Sequence, residues 1–169
     1  MNIHKDFEEF LRLLTGQGVD FVIVGGYAVA FHGYVRATQD IDLFFRNTED
    51  NVRRVLPALR EFGLAVGEEV LAEFREPGSI IRMGLPPVRI EMINAISGID
   101  FECVWARRVP GRYGEVEVSY ISLPDLLTNK RAAGRPKDLA DFDELGGNRP
   151  TQQDDRQRLR APPRRGTIS

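Results

Sequence analysis

Asp40 and Asp42 are separated by one residue in Asp-Ile-Asp-Leu-Phe-Phe (40–45), a segment that reads as a strand. Side chains two apart on a strand share a face, so both carboxylates project together. Adjacent carboxylates repel, and Asp is a poor strand former, so the pair is costly unless a positive charge lies between them. A divalent metal is the simplest such charge. Mg²⁺ takes oxygen ligands and completes its shell with water and substrate phosphates, which suits a site with few protein carboxylates. A third acid lies in the alternating segment Val-Arg-Ile-Glu-Met-Ile (88–93), where Glu91 faces away from Ile90 and Met92. If that segment pairs beside the first, three acids converge at one end of a sheet.

Upstream, the apolar run Phe21–Val24 reads as a buried strand, and Gly25-Gly26 breaks it where the chain turns sharply into a short helix, Tyr27 to His32. Such a turn exposes backbone N–H groups to a phosphate. The glycine pair and the paired acids, thirteen residues apart, therefore form a layout for holding a nucleoside triphosphate and its metal.

The remaining pattern supplies the supports. Phe7, Phe10, Leu11 and Leu14 form a helical stripe ended by Gly16 and Gly18. Thr48 is positioned to cap a helix running to Phe62, with a kink expected at Pro57. Ser79–Gly84 and Val88–Asn94 read as strands joined through Pro86-Pro87, Phe101–Arg108 as a helix, and Glu115–Ile121 as a strand. Ser122 with Asp125 has the spacing of a capping box opening a helix to Ala133, and Asp138–Leu145 is a last helix. Helices and strands are mixed without repeat or strict alternation. The expected class is α+β, a small mixed sheet with flanking helices.

Composition sets the bounds. The 169 residues, 42% hydrophobic, suffice for one core and not two. One cysteine, Cys103, excludes an internal disulfide or a Cys-rich zinc site. The N-terminus lacks a charged start followed by an apolar run, and no stretch approaches ~18 apolar residues, so a soluble cytoplasmic protein is expected. Residues 1–146 are read as the domain, with C-terminal helices from about 122. Residues 147–169 are read as a disordered Arg/Pro-rich tail, whose six arginines against Asp154 and Asp155 leave the body acidic.

Residue by residue, the chain resembles the nucleotidyltransferase superfamily, which includes DNA polymerase β, aminoglycoside nucleotidyltransferases, and the AbiEii-type and minimal nucleotidyltransferases of toxin–antitoxin systems. The shared pattern is a strand, Gly-Gly, about a dozen residues, Asp-x-Asp on the next strand, and a single acid on a third. Gly25, Gly26, Asp40, Asp42 and Glu91 occupy those places; the third acid is often Asp and here is Glu. The AbiEii-type likeness extends through His32-Gly33, Arg36-x-Thr38, the run Ile121–Leu127, Lys130 and Arg135-Pro136-Lys137-Asp138. About residues 5 to 145 are covered.

The resemblance implies a polymerase β palm-like fold and a metal-dependent enzyme that moves a nucleoside monophosphate from an NTP to a hydroxyl on RNA, a protein or a small molecule, with release of pyrophosphate. Two Mg²⁺ ions, with Mn²⁺ as a substitute, would be held by Asp40, Asp42 and Glu91, and Glu91 is the candidate base. Gly25 and Gly26 would cradle phosphates, with Arg36 and Lys130 offsetting their charge and Thr38 among the nucleotide-binding residues. Arg36 also reads as a plain surface arginine, Thr38 as a turn residue, and Lys130, Arg131, Arg135 and Lys137 as a solvated helix face. Three roles follow: an active transferase, including the toxin of a toxin–antitoxin pair; a catalytically silent antitoxin or binding protein; and an antibiotic-modifying enzyme, which the short chain disfavours.

Overall fold

The strand bearing the paired acids lies inside a six-stranded mixed sheet, seen in a computed structural model that describes residues 3–148. In chain order the elements are α1 (Lys5–Gly16), β1 (Phe21–Val24), α2 (Gly25–Phe31), β2 (Asp40–Phe45), α3 (Glu49–Glu61), α4 (Val70–Arg75), β3 (Ile80–Leu85), β4 (Val88–Ile93), α5 (Phe101–Arg107), β5 (Val109–Tyr113), β6 (Val116–Tyr120), α6 (Leu123–Ala133) and α7 (Pro136–Glu144). The sheet order is β3-β4-β2-β1-β6-β5. β2 runs antiparallel to β1 and parallel to β4, β6 is parallel to β1, and each edge strand is one arm of an antiparallel hairpin. The architecture is α+β, as the mixture of elements implies.

Alternation along β2 assigns the two faces of the sheet. Ile41, Leu43 and Phe45 are fully buried on one face, where Phe45 packs against Phe74 of α4. Asp40, Asp42 and Phe44 point the other way, and Phe44 meets Phe101 of α5 edge-on. The stripe Phe7, Phe10, Leu11 and Leu14 makes α1 a core helix with no exposed member; each such side chain contributes about 2 kcal/mol on burial. α1 packs on α3, and α3 on α4. Thr48 caps α3 by accepting from the Asn51 backbone N–H, and α3 continues through Pro57 to Glu61.

Several expectations change. α2 begins at Gly25 itself, and α4 and β5 are additional elements. Ser122 caps α6 by accepting from the Asp125 N–H, but the capping box is only half formed. The Asp125 carboxylate instead accepts a forked bond from Arg107, a charged donor stronger than a neutral N–H. Of the expected disordered tail, 147–169, all but Gly147 and Asn148 lies outside the described residues, and the Gly147 N–H donates to the Phe142 carbonyl at 2.8 Å. Among the described residues no helix is long and apolar enough to cross a membrane.

Candidate active site

Sheet register assembles the acids. β4 lies parallel beside β2 with Asp40 opposite Arg89 and Asp42 opposite Glu91. Four side chains therefore project from one face as two adjacent pairs, three acids and one arginine. β1 completes the corner: its last residue, Val24, pairs with Asp42, so Gly25 turns away directly over that carboxylate. Gly25 has φ +64°, and a Cβ added to it would overlap Asp42 Oδ2. At Gly26 a Cβ would collide with the Thr38 side chain, whose hydroxyl donates to the Asp40 carbonyl at 3.3 Å.

Gly25→Ala is accordingly expected to cost about 1–2 kcal/mol for the left-handed backbone. Because the new methyl must also displace Asp42, transfer should fall by a larger factor than stability. Parallel urea titrations and initial-rate assays would test this, and equal losses in both would count against it.

The three acids do not share one environment. Asp40 accepts two bonds from Arg89, Nη2 to Oδ2 at 2.7 Å and Nε to Oδ1 at 3.1 Å. Glu91 accepts from Arg82 Nε at 2.8 Å and lies 3.6 Å from Arg89. Asp42 has no ion-pair partner among the described residues. Burial, then the charge of Glu91 and a hydrogen bond with it, push the Asp42 carboxyl up to about 7. Asp40, Asp42 and Glu91, expected as one ligand set, stand in one row across β2 and β4, and among the described residues no three His, Cys, Asp or Glu side chains are grouped to hold a metal ion. The arginines beside the row pair with two of its carboxylates. The donor chemistry nevertheless fits a hard divalent cation, since the row offers only oxygens and leaves Asp42 facing Glu91 with no cation between them.

A second cluster supports the first from α6 and α7. Lys130 is 5% exposed, and its ammonium donates to Asp138 at 2.8 Å and to Asp141 at 2.9 Å. Asp141 also accepts both arms of Arg36, at 2.6 and 2.8 Å, and Arg135 pairs with Asp138. Burial alone would raise both carboxyls, but the bonds from Arg135 and Lys130 to Asp138, and from Arg36 and Lys130 to Asp141, hold them below the usual range. Arg36 and Lys130, expected at phosphates, line the cleft. Both reach the cleft wall, but their donors are engaged with buried carboxylates, which makes them braces between the Arg36–Thr38 loop and the last two helices.

Acids, glycines and braces line one cleft of ≈540 Å³, with Arg82, Arg89, Arg135 and Lys137 on its walls. A neighbouring hollow of ≈430 Å³ shares Asp42 and Glu91 but continues over Ile80, Ile93, Ile96 and Ala133. The acid row thus borders two hollows that share Arg82, Lys130 and Arg135, the second adding an aliphatic stretch to its polar lining.

Sequence reasoning missed Arg82, Arg89 and Asp141. Arg89 was legible, because it precedes Glu91 by two on an alternating strand and so shares its face. His32 lies 2.7 Å through Nε2 from the Ile121 carbonyl and ties α2 to the end of β6.

A mixed sheet carrying paired acids beside a glycine turn defines the nucleotidyltransferase class. The chain belongs to the family described as "Nucleotidyl transferase of unknown function (DUF2204)", whose profile matches residues 3–160, and it is a nucleotidyltransferase. Its fold is similar to that of the lincosamide antibiotic adenylyltransferase LnuA, solved with lincomycin bound, at 15% sequence identity and a TM-score of 0.52, over 86% of this chain and 98% of that one. No curated protein matches the chain.

Proposed function

We propose that the protein is a metal-dependent nucleotidyltransferase that moves a nucleoside monophosphate from an NTP to a hydroxyl acceptor, with Asp40, Asp42 and Glu91 as the residues that hold Mg²⁺. The observation carrying this reading is the register of Asp42 opposite Glu91, with Asp40 two residues earlier on the same face and Gly25 packed over Asp42. A bound divalent cation would supply Lewis-acid activation of the acceptor hydroxyl and charge neutralisation at the α-phosphate. The chain's residues do the rest. Gly25 and Gly26 keep the turn bare of side chains so that phosphates approach the backbone, and Lys137 and Arg89 give the cleft cations for the β- and γ-phosphates. Arg36, Lys130, Asp138 and Asp141 fix the far wall. Glu91, which lines both hollows, would take the acceptor's proton.

A small-molecule acceptor is the second reading, favoured by the hollow of ≈430 Å³ beyond Glu91, where Ile80, Ile93, Ile96 and Ala133 lie beside polar groups. Chain length no longer argues against it. The lincosamide adenylyltransferase aligns over 98% of its own chain with 86% of this one, so it is of comparable size. RNA and protein acceptors, with the toxin–antitoxin role suggested by the AbiEii-type motifs, remain arms of the same test.

The test incubates the protein with each of four α-³²P-labelled NTPs, Mg²⁺ and cell lysate, beside an Asp40→Ala/Asp42→Ala control. Label is expected in the RNA, protein or small-molecule fraction only with the intact acids. NTP binding without transfer in any fraction would instead establish the silent binding role.

A further inference from the structure

The cations around the acid row differ in how firmly they are held. Arg36 is fixed by two bonds to a carboxylate 1% exposed, and Lys130 is buried between two aspartates. Arg89 is held differently. Its side chain is 31% exposed, lines the cleft, and is bonded to an acid that is itself 28% exposed and belongs to the row. Its place on β4 follows from the register: it is the fourth member of the square whose other corners are Asp40, Asp42 and Glu91. In the protein alone, its positive charge offsets part of the negative charge of three clustered acids.

A divalent cation on the same acids would compete with that arrangement. Arg89 occupies both oxygens of Asp40, and like charges a few ångströms apart repel strongly in a partly desolvated cleft. A planar guanidinium fork that fits a carboxylate also fits a phosphate. The cleft is where the triphosphate would lie.

We propose that Arg89 is an exchanging residue of the site: it closes on Asp40 in the metal-free protein, and it moves to a phosphate of the NTP when the carboxylates accept a divalent cation. Arg89 therefore opposes metal binding and favours nucleotide binding. The inference rests on the metal-dependent reading above.

Its test measures binding, with the full chain, for the wild type, Arg89→Ala and Arg89→Lys. Mn²⁺ affinity is read first by electron paramagnetic resonance without nucleotide, and then the affinity of a non-hydrolysable ATP analogue is read at saturating Mn²⁺. Losing a charge-assisted fork should tighten Mn²⁺ by about tenfold in Arg89→Ala and weaken the analogue by about tenfold. Arg89→Lys, which keeps the charge and guards against misfolding of the alanine variant, should fall between. Unchanged or weaker Mn²⁺ binding in Arg89→Ala, with the wild type binding normally, overturns the exchange and leaves the metal-dependent reading standing. Absence of Mn²⁺ binding in all three proteins overturns both.

Discussion

Asp42→Asn is expected to abolish nucleotidyl transfer, by at least about 10³-fold, while making the folded chain more stable above pH 7. Asp42 lines both hollows and lies beside Glu91, so its charge is the one the reaction most needs and the fold least favours. Burial and then Glu91 raise its carboxyl from 3.8 to about 7. The folded state thus holds this proton more tightly than the unfolded state does. Stability falls as pH rises between those two values, and the cost persists above the higher one. Asparagine removes it, for a gain on the order of 2 kcal/mol at pH 8 and little at pH 4. Thermal melts of both proteins at the two pH values give the answer. Adding Mg²⁺ should raise the wild-type midpoint and leave Asp42→Asn unmoved. A variant that melts lower than wild type at pH 8 would contradict this account of Asp42.

Asp141→Ala, behind the cleft wall, is expected to destabilise the protein by about 3 kcal/mol. Asp141 is 1% exposed and accepts from both Arg36 and Lys130, so its removal leaves two nearly buried cations short of a partner. Urea unfolding at pH 7 measures the loss. The pH dependence should also change. Bonds from Arg36 and Lys130 outweigh burial and hold Asp141 low, and Arg135 and Lys130 do the same for Asp138. A carboxyl depressed in the folded state contributes stability that is present above its unfolded value, near 3.9, and lost as pH falls through the lower folded value. Asp141→Ala should therefore lose stability less steeply below pH 4 than the wild type. An unchanged acid slope would show that the two aspartates do not govern it.

Much of the site was legible because it obeys periodicity. Asp40, Asp42 and Glu91 were placed on common faces by a period of two, and the glycine pair by the need to leave a strand sharply. What periodicity could not supply was which strands are neighbours. The pairing of β2 with β4 joins residues some 49 positions apart, and no local pattern encodes it. The missed elements have particular reasons. β5 contains Pro110 and Gly111, which argue against a strand, yet it lies at the sheet edge, where a missing N–H is tolerated. α4 has only six residues, too few for a helical stripe to show. Lys130 and Arg36 were read as phosphate contacts because sequence shows a cation but not its partner, and Asp141 reaches them only once α7 folds back on α6.

The parallel pairing of β2 with β4 has a kinetic consequence. A hairpin can zip from its turn, but a parallel pair forms only after the intervening chain, here α3, α4 and β3, has closed a long loop. Asp42 and Glu91 meet only then. Nucleotide capture should accordingly appear late in refolding, after the helices, so that binding competence reports completion of the sheet rather than its beginning.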